Sequence, residues 1–147
     1  VSRLAHMLDY RVVICDPRDD YDEAPLDGVE RVRMMPDEAV QAMVTHPRCA
    51  VVALTHDPKL DDMALLEAME SRAFYVGDIG SRRNSELRRT PLETLGIPRQ
   101  SLERLHAPVG LPIGSHSPPE IAVAILAEMT AVRNRVTAAG EVPTTTA

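Results

Sequence analysis

The sequence predicts a doubly wound α/β domain with a mostly parallel, Rossmann-like sheet. Short continuous apolar runs at residues 11–15, 50–54 and 74–76 are typical of strands that are buried on both faces. Helical patterns separate these runs, and the alternation favours parallel strands joined by right-handed crossovers. At 147 residues, with 44% hydrophobic and 26% charged residues, the chain has the size and composition of one globular domain.

The first part of the chain contains a helix end, a buried strand and a second helix. Apolar residues at positions 1, 4, 5 and 8 have helical spacing and predict the end of an amphipathic helix. The strand at 11–15 follows it and ends at Asp16. An acidic loop over 19–28 and a weak strand over 29–34 lead to Pro36, which begins a helix to about residue 45.

The rest of the chain repeats the strand-then-helix pattern. After the strand at 50–54, Asp61 or Asp62 is the predicted N-cap of a helix that runs to about residue 71. After the strand at 74–76, a further helix is predicted over 81–89. Ser, Pro and Glu in the order of a capping box at 117–120 then predict a helix over 118–135. The predicted domain therefore spans residues 1–135, and residues 136–147 are a flexible tail.

Charge and cysteine content exclude several classes of function. The net charge of −6 argues against an extended nucleic-acid surface or a basic membrane patch. No run approaches the ~20 uninterrupted apolar residues of a membrane span. Cys15 and Cys49 lie in strand-like runs without metal-ligand spacing, which favours buried reduced thiols over a zinc site or a disulfide. The sequence predicts a cytoplasmic protein with no nucleic-acid partner, no membrane contact and no bound metal.

Polar residues follow the predicted strands at the point where each strand ends. Asp16-Pro17-Arg18 follows the first apolar run, and Thr55-His56-Asp57 follows the second. Residues 77–83 follow the third. Because the carboxyl ends of parallel strands lie along one edge of a sheet, where open α/β sheets bind ligands, these turns are expected to converge.

The turn after the third strand has the composition of an anion-binding turn. Gly77 and Gly80 allow the backbone to approach a ligand closely. Ser81 is a good N-cap, and a helix N-terminus favours an anion. Arg82 and Arg83 supply the planar guanidinium groups that suit phosphate or carboxylate. The alternative is that the glycines only form a tight connection and the arginines are solvated.

The remaining candidate residues each have two interpretations. Asp16 has the position of a ribose-binding carboxylate or is a loop cap. His56 binds a metal, transfers a proton or donates a hydrogen bond, and Asp57 contacts a ligand or forms a turn. Gly110 and Gly114 lie in a loop that is a lid or a packing element. No nucleophilic triad or carboxylate pair is supported, so no catalytic residue is predicted.

Several of these segments together resemble the Rossmann-like C-terminal domain of the XdhC/CoxI family, which are accessory proteins for xanthine dehydrogenase and related molybdenum hydroxylases. The matching segments occur in the same order as in the family and cover about residues 1–135. The THD, GSRR and HAPxGLxIG-like stretches are the most specific of them. The segments are RVVICDPR at 11–18, ALTHDPKLDD at 53–62, FYVGDIGSRR at 74–83, LHAPVGLPIG at 105–114 and SPPEIAVAILAEM at 117–129.

The resemblance implies a role in enzyme maturation. Members are thought to bind molybdenum cofactor, to support its sulfuration with a cysteine desulfurase and to deliver it to the apo-enzyme, so the implied ligand is an anionic pterin phosphate or its dinucleotide. A role as a chaperone is favoured over that of an enzyme. The cofactor-binding residues predicted on this basis are Asp16, Arg18, Thr55, His56, Asp57, Gly77, Gly80, Ser81, Arg82, Arg83, Gly110 and Gly114.

The sequence departs from the family pattern in one respect. Members usually have a glycine-rich first turn and its strand just upstream of the matching part, and this sequence does not contain them. The expectation is that this strand is disordered, cleaved off, or supplied by another copy in a homodimer. Two other functions stay open. One is a nicotinamide-dependent oxidoreductase that binds NAD(P) at the same edge, and the other is a protein-docking module without ligand binding.

Overall fold

A computed structural model describes residues 1–18, 24–55, 57–80 and 92–136. The predictions for His56, for residues 81–89 and for the tail after residue 136 lie outside these ranges. The described helices and strands follow one another in the order α1 Ser2–Met7, β1 Val12–Cys15, β2 Val29–Val32, α2 Pro36–Met43, β3 Ala50–Ala53, α3 Pro58–Glu70, β4 Tyr75–Asp78, α4 Arg99–Leu102, β5 Leu105–His106 and α5 Pro118–Arg133.

The described strands pair in parallel and form two groups. β1 pairs with β2, and β4 pairs with β3 on one side and β5 on the other. The register of the second group places Asp78 opposite Ala53 and His106 opposite Gly77. Parallel pairing with intervening helices confirms the predicted α/β class. In the described part of the chain, no hydrogen-bonded ladder joins β1 to β3.

Helices cover both faces of the strands, which explains why the strands are apolar throughout. Val76 of β4 belongs to a core cluster with Leu65 of α3 and Leu105 of β5. Tyr75, its neighbour, belongs to a second cluster with Ile125 of α5. Val12 of β1 packs against this second cluster, as does Val52 of β3. One helical layer of α1 and α5 therefore spans both groups of strands.

The two long helices begin at capping residues, although one of these differs from the prediction. Ser117 accepts a hydrogen bond from the backbone N–H of Glu120 (3.4 Å), and Glu120 Oε2 accepts one from the N–H of Ser117 (2.9 Å), which completes the predicted capping box. The N-cap of α3 is Asp57, which accepts from the N–H of Lys59 (3.0 Å). The prediction that Asp61 or Asp62 caps this helix is wrong.

The third apolar strand is longer than predicted and ends at Asp78. Gly77 is therefore a strand residue and not part of the turn. All four residues of β4 are buried, whereas β1 is only partly buried along its length. β4 is the central strand of its group, which accounts for this difference in burial.

The structure also gives the state of the cysteines, the grouping of potential metal ligands and the length of the helices. Cys15 and Cys49 are free thiols, and burial raises the pKa of Cys15, with smaller contributions from the carboxylates of Asp16 and Asp37. Among the described residues, no group of three or more potential metal ligands is found. Within the same ranges, no helix has the length and apolar character needed to cross a bilayer.

Candidate ligand-binding site at the carboxyl edge of the sheet

The carboxyl ends of β3, β4 and β5 lie side by side. Their register aligns Ala53 with Asp78 and Gly77 with His106, so the residues that follow or end these strands share one edge. Asp16 follows β1 in the other parallel group. This edge is where open α/β sheets bind ligands, because loops from several strands meet there.

Asp16 is engaged by its own loop. Its Oδ1 accepts hydrogen bonds from the backbone N–H of Arg18 (3.1 Å) and from Arg18 Nε (2.9 Å), and its Oδ2 accepts one from Nη2 (2.8 Å). The side-chain hydrogen bond to Arg18 is the main reason why the pKa of Asp16 lies below its usual value. The arrangement matches the loop-cap interpretation, and a ribose hydroxyl would have to share this carboxylate with Arg18.

Thr55 and Asp57 hold the turn after β3 against the start of α3. The hydroxyl of Thr55 donates to Asp61 Oδ1 (2.7 Å), and the Thr55 N–H donates to the same oxygen (3.2 Å). Asp61 is only 1% exposed, so these hydrogen bonds attach the turn to a buried carboxylate. Asp57 is the N-cap of α3, so the contacts of its side chain are those of a turn residue.

Packing accounts for two of the predicted ligand-binding glycines. A Cβ at Gly77 would lie 2.5 Å from Val109 Cγ2 and 3.0 Å from the ring of Tyr75. A Cβ at Gly110 would lie 3.1 Å from the backbone of Ala124 in α5, and Gly110 also has φ of +95°. Both positions therefore exclude a side chain for reasons internal to the fold.

The other two glycines that the structure describes are placed differently. Gly114 has φ of +73°, and a Cβ there would meet nothing within 4 Å. Its backbone conformation, and not close packing, is what favours glycine at this position. Gly80 lies just beyond the end of β4, at the carboxyl edge of the sheet.

A partly buried polar cluster joins Tyr75, His106, Gly110 and Glu128, and we call it the Glu128 cluster; of its members, only Gly110 is among the site residues predicted from the sequence. The hydroxyl of Tyr75 and the N–H of Gly110 (2.8 Å) both donate to Glu128 Oε2. His106 Nδ1 lies 3.4 Å from Glu128 Oε1. The rings of His106 and Tyr75 stack with their centroids 4.5 Å apart. Two sequence signals point to this cluster: Glu128 interrupts the apolar run of α5, and His106 and Gly110 lie together in the stretch at 105–114.

Electrostatically, the described part of the edge is rich in carboxylates. Asp16, Asp57 and Asp78 all lie there, and Asp78 is only 1% exposed. Burial is the main reason why the pKa of Tyr75 is raised, and the hydrogen bond to Glu128 adds to it, so Tyr75 is a neutral donor. Ser81, Arg82 and Arg83, which the sequence assigns to anion binding, lie outside the described residues. Carboxylates accept from N–H and O–H groups, and each has about four acceptor sites.

A parallel α/β sheet with helices on both faces defines a Rossmann-like domain. A family model described as the XdhC Rossmann domain matches residues 1–129. The chain belongs to this family, which confirms the resemblance found in the sequence.

Three curated relatives are similar to parts of the chain. It is 36% identical over 96 residues to the uncharacterized protein YqeB of Escherichia coli K12, and the aligned region covers 65% of this chain and 17% of the relative. It is 36% identical over 84 residues to the molybdenum cofactor insertion chaperone PaoD of the same organism, which covers 57% of this chain and 26% of the relative. Over 138 residues it is 25% identical to a protein of Bacillus subtilis 168 that is named as a probable component of xanthine dehydrogenase, which covers 92% of this chain and 40% of the relative.

A solved structure has the same fold over nearly the whole chain. The crystal structure of a xanthine dehydrogenase from Bacillus halodurans superposes with a TM-score of 0.75 at 25% identity, covering 95% of this chain and 40% of that one. The chain thus spans well under half the length of each of these relatives.

Proposed function

We propose that this domain binds molybdenum cofactor at the carboxyl edge of its sheet and serves the maturation of a xanthine dehydrogenase-type molybdenum hydroxylase. In this proposal it is a binding and insertion factor and not an enzyme. Membership of the XdhC family supports the proposal, as does the similarity to a relative named as a molybdenum cofactor insertion chaperone. The apo-hydroxylase and a cysteine desulfurase are the proposed partners, and the domain acts as a homodimer.

The observation that carries the proposal is the alignment of the ends of β3, β4 and β5 at one edge. The polar groups there fit the two chemical parts of the cofactor. A pterin presents amino and ring N–H groups, which pair with carboxylate acceptors such as Asp57. A phosphate pairs with guanidinium donors such as Arg18, and Arg82 and Arg83 add two more in this proposal. Asp16 additionally receives a ribose hydroxyl if the cofactor is in its dinucleotide form.

The test removes two arginines from the proposed edge and compares them with two from the opposite edge. Arg82→Ala plus Arg83→Ala is expected to weaken binding of molybdenum cofactor in calorimetric titration by about tenfold or more, because charge-assisted hydrogen bonds to phosphate are lost. The control is Arg48→Ala plus Arg99→Ala. Both residues are exposed and precede β3 and β5, so the same charge is removed at the amino edge.

Equal cofactor affinity in the two double variants would contradict the charge-recognition role. Binding of NAD(P) in place of molybdenum cofactor would favour the oxidoreductase alternative. Binding of the apo-hydroxylase without either cofactor would favour the docking module.

A further inference from the structure

Glu128 is a carboxylate on a helix face that otherwise supplies core residues. On α5 it lies one turn after Ala124 and Ile125, which are 2% and 0% exposed. The side chain of Glu128 itself is only 18% exposed. Burying a carboxylate next to such residues is unfavourable unless hydrogen bonds compensate, and an apolar residue would satisfy packing alone. The position of Glu128 therefore calls for an explanation beyond packing.

Three separate parts of the chain converge on this carboxylate. Tyr75 comes from β4, Gly110 from the loop before α5, and His106 from the end of β5. One face of the His106 ring stacks on Tyr75 with an angle of 18° between the planes. Contacts to one ring face and to Nδ1 limit the orientations of the His106 ring, and such limits hold binding groups ready for a ligand.

The group of this cluster that is left open to a ligand is the second nitrogen of His106. Glu128 Oε2 already accepts two hydrogen bonds, and Oε1 faces Nδ1 of His106. His106 Nε2 has no hydrogen bond or ion pair within the part of the chain that the structure describes. The His106 side chain is 27% exposed and lies at the end of β5, on the ligand-binding edge.

We propose that His106 binds an oxyanion of the ligand through Nε2, and that Glu128 is the positioning residue that orients it. With Glu128 opposite Nδ1, an imidazolium offers its second N–H to a phosphate oxygen as a charge-assisted donor. A metal ion is the less suitable occupant, because no group of three potential metal ligands is found among the described residues. The inference rests on the proposed cofactor site and deepens it by adding a residue that contacts the phosphate.

The test uses the whole chain with ¹⁵N-labelled histidine and inorganic phosphate as the probe, at constant ionic strength. The ring signals of His106 are assigned by their loss in His106→Gln. We expect phosphate to shift the His106 ring nitrogens saturably and sodium chloride to leave them in place. Glu128→Gln keeps an acceptor for Tyr75 and Gly110 but removes the charge that faces His106, so we expect about tenfold weaker phosphate binding.

Two substitutions separate binding from a purely structural role. His106→Ala is expected to weaken phosphate binding by about tenfold to a hundredfold, and His106→Gln to restore part of it, because an amide also donates an N–H. The control is His116→Ala, which changes a histidine outside the cluster and is expected to bind phosphate normally. If His106→Ala lowers thermal stability but leaves phosphate affinity unchanged, the role is structural and the inference is wrong.

Other outcomes distinguish this inference from the proposed function. Saturable shifts of the His106 ring with zinc but not with phosphate would overturn the oxyanion role. Binding of molybdenum cofactor with unchanged affinity by His106→Ala would overturn the inference and leave the proposed function intact. Phosphate shifts of His106 in a protein that does not bind molybdenum cofactor would support the oxyanion site and contradict the proposed function.

Discussion

Asp16 and Glu128 are two carboxylates that accept their hydrogen bonds in different ways. Asp16 accepts its hydrogen bonds from Arg18, which is only two residues away in the chain. Glu128 draws its donors from Gly110 and Tyr75, which lie 18 and 53 residues away in the chain. The first is a local clamp that forms within one loop. The second exists only when β4, β5 and α5 are assembled, so it depends on the folded core.

The largest expected difference between these carboxylates is in stability. Glu128→Ala leaves the hydroxyl of Tyr75 and the N–H of Gly110 buried without an acceptor, and we expect a loss of about 2–4 kcal/mol. Asp16→Ala removes a partly exposed pair and is expected to cost less than about 1 kcal/mol. Urea denaturation of both variants measures the two values, and equal losses would contradict the distinction.

A smaller effect is expected at Gly77, whose missing side chain lets Val109 approach β4. Gly77→Ala places a methyl group 2.5 Å from Val109 Cγ2, so we expect about 1–3 kcal/mol of destabilisation from overpacking. Combining it with Val109→Ala removes the clash and is expected to make the two changes non-additive. Thermal denaturation of the single and double variants measures this coupling. Simple additivity of the two effects would show that Gly77 is not required for packing.

The smallest effect is the pH dependence that Asp16 contributes. Its pKa is lowered in the folded protein, mainly by the hydrogen bond to Arg18, so its contribution to stability is present above the unfolded pKa of about 3.9. This contribution is lost as the pH falls through the folded pKa. Asp16→Asn is therefore expected to be less stable than the wild type by under about 1 kcal/mol near neutral pH, and the difference should shrink on acidification. Urea midpoints measured over this pH range test it, and a difference that grows on acidification would be the opposite result.

Local features are predictable from the sequence where a few neighbouring residues determine them. The capping box of Ser117 and Glu120 lies within one helical turn, and the structure has it as predicted. The strands are visible as apolar runs because helices cover both of their faces. The predicted start of α3 is wrong because it favours two later aspartates over Asp57, although Pro58 directly follows Asp57 and is typical of the first position of a helix.

The Glu128 cluster cannot be predicted from such local patterns. Its members Tyr75, His106, Gly110 and Glu128 come from three separate parts of the chain, and only His106 and Gly110 share a short stretch of sequence. The sequence shows that Glu128 interrupts an apolar helix but not that this carboxylate meets the stretch at 105–114. Similarly, the sequence does not reveal the contacts of Gly77 with Val109 and of Gly110 with Ala124, because they depend on how α5 and its preceding loop pack on β4.

Hydrogen exchange measured with and without molybdenum cofactor tests the central claim most directly, because it reports both edges of the sheet in one experiment. The account predicts that the cofactor slows exchange in the segments after β1, β3, β4 and β5 at the carboxyl edge, and leaves the segments before β3 and β5 unchanged. Binding that instead protects the amino edge, or that leaves the carboxyl edge unprotected, would contradict it.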